Sequence, residues 1–309
     1  MADPAVVAAA VLVLALVVDR AVGDPHSPYH PVALLGRLIG WWGRPSRWPM
    51  RWQRAVGIAG LVGTAALFAA PYIAVALIAP PLVLLLAGPF LLKSCLAWRA
   101  LEEHARAVER ALALDVGAGR EAAGLLVSRE TAALDADHVL SAAYESVAEN
   151  LVDSVTAPLL FYAAFGLGGA AGYRAVNTMD AMLGYRDERA RLGWASARAD
   201  DALTFIPARI TGAVLLAYFA LIGRGRAAWT CLLRDRHQRP GFNGGIPMAL
   251  IAGGVGVAFE KPGVYVIGTA ERPLAGAGPM IIRAVRAASI GTALLAGGAL
   301  FLWAALANM

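Results

Sequence analysis

The residues best suited to chemistry lie in two stretches, 144–153 (YESVAENLVD) and 177–209 (NTMDAMLGYRDERARLGWASARADDALTFIPAR). Both are rich in Asp, Glu, Asn and Arg, yet they adjoin some of the most apolar parts of the chain. Charge beside a membrane is costly unless it pairs or lines a wet cavity, so it marks a functional site by default. Glu145, Glu149 and Asp153 recur at intervals of four, a spacing that puts successive carboxylates on one helical face. Ser146 and Asn150 form the neighbouring stripe. Like charges so placed repel unless cations sit between them. A Mg²⁺ ion or paired arginines would meet that demand; a solvated acidic face is the plain alternative. In the second stretch Asn177 and Asp180 share a face, as do Arg198 and Asp201. The latter two also read as an ordinary ion pair, and Asp200 as a helix cap. Tyr185 and Trp194 could stack on a flat ligand or anchor the chain at the lipid surface.

These residues need a scaffold, and composition says which kind. The chain has 309 residues, 59% hydrophobic and 16% charged, with mean hydropathy +0.59. Soluble domains are about 25% charged, so this chain belongs in a bilayer. Its net charge of +5 comes mostly from Arg, whose planar fork matches phosphate and carboxylate. The cluster Arg44–Arg54, interleaved with Trp41, Trp42, Trp48 and Trp52, reads as an interfacial belt. No basic run carries the aromatic interleaving of a nucleic-acid binder. The two cysteines, Cys95 and Cys231, make neither a disulfide framework nor a zinc site.

In order along the chain, Pro4–Val18 reads as a retained first span closed by Asp19 and Arg20. Asp24, His26 and His30 follow among Pro25, Pro28 and Pro31, where a helix is forbidden. Residues 55–92 carry no charge and are too long for one crossing of a ~30 Å core, so they read as two spans broken near Pro71–Pro81. An amphipathic, acid-rich insertion covers 99–153, broken at Gly117 and Gly119, with Asp135 or Asp137 capping its next helix. Residues 154–173 are uncharged and Gly-rich; 210–223 is short for a span; 240–259 suits a re-entrant or packed segment. If 154–173 and 210–223 both crossed, the arginines of 177–209 would lie opposite the acidic insertion, against the positive-inside tendency. One or both is therefore expected to be broken or re-entrant. The fold expected is all-α and polytopic, with about five hydrophobic segments and no sheet. It is read as one membrane-embedded domain over 1–309, with a helical cytoplasmic insertion at 99–153 and a polar active-site stretch at 174–209.

Four stretches carry a family resemblance: DRAVGDPHSPYHPVALLGRLIG, SRETAALDADHVLSAAYESVAENLVDSVTAPLLFY, YRAVNTMDAMLGYRDERARLGWASARADDALTFIPAR and, more loosely, GFNGGIPMALIAGGVGV. Together they resemble the adenosylcobinamide-phosphate synthase (CobD/CbiB) family of cobalamin biosynthesis. The resemblance implies ATP-driven amide formation between a propionate of adenosylcobyric acid and (R)-1-amino-2-propanol or its O-phosphate. A corrinoid and MgATP are then substrates, the cell membrane is the location, and the active site faces the cytoplasm. It leaves association with other cobalamin-assembly enzymes, and self-association, as further partners. The family's Ser-Pro-Asn-Ala-Gly-Trp-Pro-Glu becomes Pro240–Met248 here, with Ile246 for the aromatic and Met248 for the acid.

On that reading Glu145, Glu149, Asp180 and Asp201 are the candidate catalytic groups. Glu149, Asp153, Asp180, Asp200 and Asp201 are the candidate Mg²⁺ ligands. Arg129, Arg198, Arg209, Asn150 and Asn177 would hold phosphates or corrin carboxylates. Asp24, His30, Tyr185, Trp194 and Asn243 would contact substrate, with His30 as proton acceptor or carboxylate contact. The competing readings are a corrinoid-binding or transporting subunit and a non-catalytic relative.

Overall fold

The computed structural model describes residues 3–24 and 27–307, so expectations placed on His26 lie outside the described residues. In chain order the helices are α1 (Pro4–Val22), α2 (Pro31–Trp42), α3 (Gln53–Ile78), α4 (Pro81–Lys93), α5 (Trp98–Leu112), α6 (Val116–Gly124) and α7 (Ala136–Leu151). A π turn over Val152–Thr156 leads into α8 (Ala157–Leu183). Then come α9 (Trp194–Leu203), α10 (Phe205–Leu221), α11 (Gly225–Asp235), α12 (Gly245–Val255) and α13 (Gly278–Ala307). Between α12 and α13, β1 (Ala258–Lys261) and β2 (Tyr265–Gly268) pair antiparallel.

Among the described residues six helical segments are long and apolar enough to cross a membrane: Pro4–Val22, Gln53–Ile78, Pro81–Leu112, Ala136–Leu183, Trp194–Leu221 and Gly278–Leu306. Their outer faces are apolar: Ile58, Val62 and Leu77 on α3 and Leu294, Leu302 and Trp303 on α13 are all exposed. Contiguous apolar faces of this kind suit lipid and not water. The protein is an all-α, polytopic integral membrane protein. The expected weak segment at 210–223 is stronger than its apolar run suggested. Helix α10 begins upstream at Phe205 and follows α9 directly, so most of the polar stretch is helix.

The chain forms two compact units, Met1–Ala97 with Ala157–Thr204 and Ala293–Met309, and Trp98–Thr156 with Phe205–Thr292. In the first, α3 and α4 are the two arms of the uncharged stretch, parted at Ala79–Pro80. Helix α1 does not stop at Val18. It continues to Val22 because Asp19 turns inward, fully buried, beside Lys93 at the end of α4.

Helix α8 is broken. Gly166 has φ 65 and ψ −159, a region that only glycine enters cheaply. The Phe161 and Tyr173 rings stack with centroids 5.0 Å apart, whereas a straight helix would separate those residues by about 18 Å. The chain therefore reverses at Gly166, with the exposed Phe165 at the tip. Residues 167–183 run back along the 157–165 arm, and Asn177 and Asp180 return to the side from which that arm enters. The expected break in 154–173 is thus a reversal of the chain set by one glycine.

In the second unit α5, α6 and α7 enclose a small core of Val108, Ala123, Leu134, Val139, Ala142 and Ala143. Gly117 and Gly119 do not break the insertion, contrary to expectation. The break falls at 113–115, and Asp115 caps α6 by accepting from Ala118 N at 2.9 Å. Gly119 instead lets α6 fold against Leu112, which a Cβ would meet at 2.8 Å. Asp135 caps α7 through His138 N at 2.9 Å. Every residue of α12 is buried, so the 245–255 part of 240–259 is a packed segment, while Phe242 ahead of it is exposed. The departure from an all-helical chain is the β1–β2 hairpin. Its turn runs from Lys261 O to Val264 N (2.9 Å), with Pro262 second and Gly263 (φ 70) third, the signature of a type II turn.

Gly166→Ala is expected to lower unfolding stability by about 1–3 kcal/mol through backbone strain alone, since nothing lies within 4 Å of its missing Cβ. Gly172→Ala, helical and equally open, should leave thermal unfolding in detergent unchanged or slightly improved.

Candidate functional site

The polar centre of the second unit is Glu145, almost fully buried on α7. Its Oε1 accepts from Ser141 Oγ at 2.6 Å, and its Oε2 from the Tyr265 hydroxyl and from Arg129 Nη2. Ser141 Oγ in turn accepts from Glu260 N at 2.6 Å, which ties β1 to α7. Burial and the adjacent Glu145 carboxylate push the Tyr265 phenol up, so it stays a protonated donor. One turn on, Glu149 pairs with Arg239, which precedes the divergent loop. Of the two ways to hold stacked carboxylates apart, the described residues use arginines. The π turn that begins at Val152 interrupts the i,i+4 stripe before Asp153.

Other expected residues in this unit are also tied down. Arg209 donates to Asn243 Oδ1 at 2.9 Å and lies over the Phe205 ring, 3.3 Å from its centroid. Asn150 donates to Ser146 O at 2.9 Å. Met248, where the family pattern expects an acid, is fully buried in α12, so this position fills the core. A cavity of about 420 Å³ is lined by Arg224, Arg226, Arg234, Thr230, Thr269 and Glu271. Arg224 is held by Glu271 at 2.6 Å and Arg234 by Asp235 at 2.7 Å. Cys231, on the same wall, has its thiol pushed up to about 12 by burial and by Asp235, which leaves it inert.

The first unit holds a second constellation. Lys93, 7% exposed, pairs with Asp24 and lies 4.0 Å from Asp19. His30 caps α2, its Nδ1 accepting from Val32 N at 3.3 Å, while Nε2 is 3.9 Å from Asp24 Oδ1. Burial, offset in part by Asp24 and reinforced by Lys93 and Arg174, pulls the His30 pKa down. The lowered value favours the neutral ring, and the Val32 N–H at Nδ1 directs its proton to Nε2. Asp24, Ser27, Pro28, His30, Ser94 and Arg174 line a cavity of about 490 Å³.

Within 177–209, Asn177 Nδ2 donates to Asp200 Oδ1 at 3.2 Å, joining α8 to α9. Asp180 lies against Gly184, where a Cβ would meet its Oδ1 at 2.0 Å. Arg198 and Asp201 form an exposed pair at 4.0 Å. Arg189 covers the Tyr185 ring at 3.9 Å, and Arg54 the Trp194 ring at 5.6 Å, so arginines occupy a face of each aromatic. Among the described residues no three His, Cys, Asp or Glu side chains gather into a set that could hold a metal ion. Lys93, Arg239 and Tyr265 escaped sequence reasoning. Lys93 carried a signal, as one of two lysines in the chain and the first charge after a long apolar run.

A family model described as CobD/Cbib protein matches residues 12–294. The chain belongs to the CobD/CbiB family. The probable cobalamin biosynthesis protein CobD of Methanothermobacter thermautotrophicus is 39% identical over 260 residues, 84% of this chain and 86% of the relative. That of Thermococcus kodakarensis is 44% identical over 256 residues, 82% of each. The cobalamin biosynthesis protein CobD of Dehalococcoides mccartyi is 37% identical over 270 residues, 85% of this chain and 88% of the relative. No solved structure matches.

Two outcomes separate structural from chemical roles in this CobD/CbiB chain. Glu145→Ala leaves Arg129 buried without its carboxylate and should cost about 3–5 kcal/mol in denaturant unfolding. Arg198→Ala or Asp201→Ala, on the exposed helix face, should cost no more than about 1 kcal/mol, so any loss of activity there is chemical. For His30 the depressed folded value means that the unfolded chain binds its proton first. Stability is intact above the ordinary 6.5 and is lost as pH falls below it. His30→Asn keeps a capping acceptor and should flatten the fall in melting temperature between about pH 7.5 and 5.5.

Proposed function

We propose that this protein acts in cobalamin biosynthesis as an ATP-dependent amide ligase. It joins a propionate of adenosylcobyric acid to (R)-1-amino-2-propanol or its O-phosphate, at the cytoplasmic face of the cell membrane. A carboxylate is a poor electrophile toward an amine. In the first step a propionate oxygen attacks the γ-phosphorus of ATP, releasing ADP and leaving an acyl phosphate. In the second the neutral amine attacks the acyl carbon and expels phosphate. Spreading negative charge in the first step calls for fixed positive groups around the transferred phosphoryl.

The observation that carries this reading is the use of arginines as carboxylate partners, Arg129 at Glu145 and Arg239 at Glu149, in a chain of the CobD/CbiB family. A guanidinium that holds a carboxylate through one N–H can exchange it for a substrate carboxylate or phosphate, which its planar fork matches. Arg129 Nη1 is buried with no hydrogen-bond partner among the described residues, a donor that a ligand oxygen would satisfy. Arg198 and Arg209 are the remaining proposed clamps, with Asn150 and Asn177 as neutral donors. The Mg²⁺ travels with ATP. The described acids do not form a resident cage, and magnesium bound to a nucleotide needs only one or two protein carboxylates. Glu149, Asp153, Asp180, Asp200 and Asp201 are the proposed sources of those one or two.

A specific observation favours transport as a second reading. The re-entrant bend at Gly166 is the kind of broken helix that lines transport sites.

Membranes carrying the protein should form amide only with ATP present, and at least one of Glu149→Ala, Asp180→Ala and Asp201→Ala should lower the rate by about 10²-fold or more. Wild-type rates in all three would remove the acids from the mechanism. Flux of labelled corrinoid into vesicles without ATP consumption would replace the ligase with a carrier.

A further inference from the structure

The cavity of about 420 Å³ in the second unit belongs to no step of the amide-forming reading. It lies between α11, the end of α12 and the segment after β2, and shares no residue with the Glu145 centre. Its volume is at the small end of ligand sites, enough for an oxyanion with its water. The walls are tied together. Arg224 donates through Nε to Gly254 O at 3.0 Å and through Nη2 to Gly253 O at 3.2 Å, which fastens the start of α11 to the last turn of α12. The same Nη2 meets Glu271 Oε2 at 2.6 Å. Glycine at 256 leaves that pair its room, since a Cβ there would lie 2.7 Å from Oε2 and 2.9 Å from Nη2. Arg234 forks onto Asp235, Nε and Nη2 each at 2.7 Å, and its Nη2 also reaches Thr269 Oγ1 at 3.2 Å.

What these contacts leave over is a set of donors. A guanidinium carries five N–H groups in a fixed fork. The Nη1 groups of Arg224 and Arg234 are unspent, and Arg226 has no partner among the described residues. Arg226, Thr230 and Arg234 recur at intervals of four on α11, which puts them on one face. Thr269 accepts from Arg234, so its own hydroxyl hydrogen is still to give. Glu271 and Asp235 answer two of the three arginines, and Arg226 keeps no counter-charge. Against these donors stands one unspent carboxylate oxygen, Glu271 Oε1. Many donors around one acceptor suit an oxyanion that itself keeps a proton, given to the carboxylate in a short charge-assisted bond. Inorganic phosphate keeps a P–OH at neutral pH. A phosphomonoester, with its second pKa at about 6, has mostly lost it. Sulfate and the phosphodiester of a lipid headgroup have none, and meet Glu271 as like charge.

We propose that the cavity bounded by Arg224, Arg226, Arg234 and Glu271 is a binding site for inorganic phosphate, separate from the Glu145 centre and independent of the ligase reading. The full-length protein, purified in detergent without ATP or corrinoid, is titrated by calorimetry with inorganic phosphate and with sulfate, at neutral pH and matched ionic strength. Phosphate should bind at least about tenfold more tightly than sulfate. Arg226→Gln should weaken phosphate at least about tenfold and leave thermal unfolding unchanged, since Arg226 is exposed and unpaired. Glu271→Gln keeps an acceptor for Arg224 and removes the charge, so the preference over sulfate should shrink toward parity. Equal affinities for the two anions in the unaltered protein, or undiminished phosphate binding in Arg226→Gln, overturns the proposal.

A thiol on the wall reads the same site with every donor left in place. Cys95 and Cys231 are buried and Ala227 lines the cavity, so Ala227→Cys supplies the accessible thiol. Phosphate should slow its labelling by a maleimide over the concentration range in which calorimetry detects binding, and sulfate at the same concentrations should not. Full-rate labelling at saturating phosphate overturns the site.

Discussion

Every charge that this chain carries into low-dielectric surroundings has to meet its opposite, and that requirement organises the polar half of the structure. Burying an isolated ion costs far more than a domain's net stability. Lys93 is answered by Asp19 and Asp24, Glu145 by Arg129, and Glu102 by Arg286 and Arg106. Each of these pairings joins elements remote in sequence or adjacent turns of one helix. They fix which helix faces which neighbour more firmly than apolar packing does, because the outward faces are apolar as well.

The same requirement explains how short elements come to matter. The β1–β2 hairpin is too small to be stable alone. It is held because Asp235 accepts from Gly268 N at 2.8 Å, Ser141 accepts from Glu260 N, and Tyr265 donates to Glu145. Close approach of α12 is permitted by glycines: a Cβ on Gly254 would meet the Phe219 ring at 2.4 Å, and one on Gly253 would meet Cys231 at 2.4 Å. The hairpin thus completes the hydrogen bonding around Glu145 and Ser141 that α7 alone could not build.

In the first unit the reversal at Gly166 has the larger functional effect. It turns a stretch with the composition of a membrane span into two arms, and brings Asn177 back to bond Asp200 on α9. Asn177, Asp180, Arg198, Asp200 and Asp201 are then presented by two packed helices, with 184–193 as the turn between them. Tyr185 and Trp194 are covered by Arg189 and Arg54, so any flat ligand that stacks there must displace a cation.

Much of this was legible in the residues themselves. Hydropathy alone makes the chain a polytopic helical membrane protein, since nearly forty uncharged residues at 55–92 cannot be placed elsewhere. Local chemistry narrowed the α7 cap to Asp135 or Asp137 and the break to the neighbourhood of Pro71–Pro81, because caps and prolines act within a few residues; the structure chose Asp135 and Ala79–Pro80. The demand that 154–173, 210–223 or both not cross straight also followed from charge placement; the break at Gly166 chose the first. What the residues could not disclose was partnership. Arg239 with Glu149, Tyr265 with Glu145 and Lys93 with Asp24 are separated by 90, 120 and 69 positions, and periodicity carries no information over such distances. The hairpin was missed because four-residue strands have no pattern strong enough to outweigh the helical context, although Pro262-Gly263 marked its turn. Sequence determined which groups had to be neutralised; only the tertiary structure decided by whom, because electrostatic pairing depends on distance in space and not along the chain.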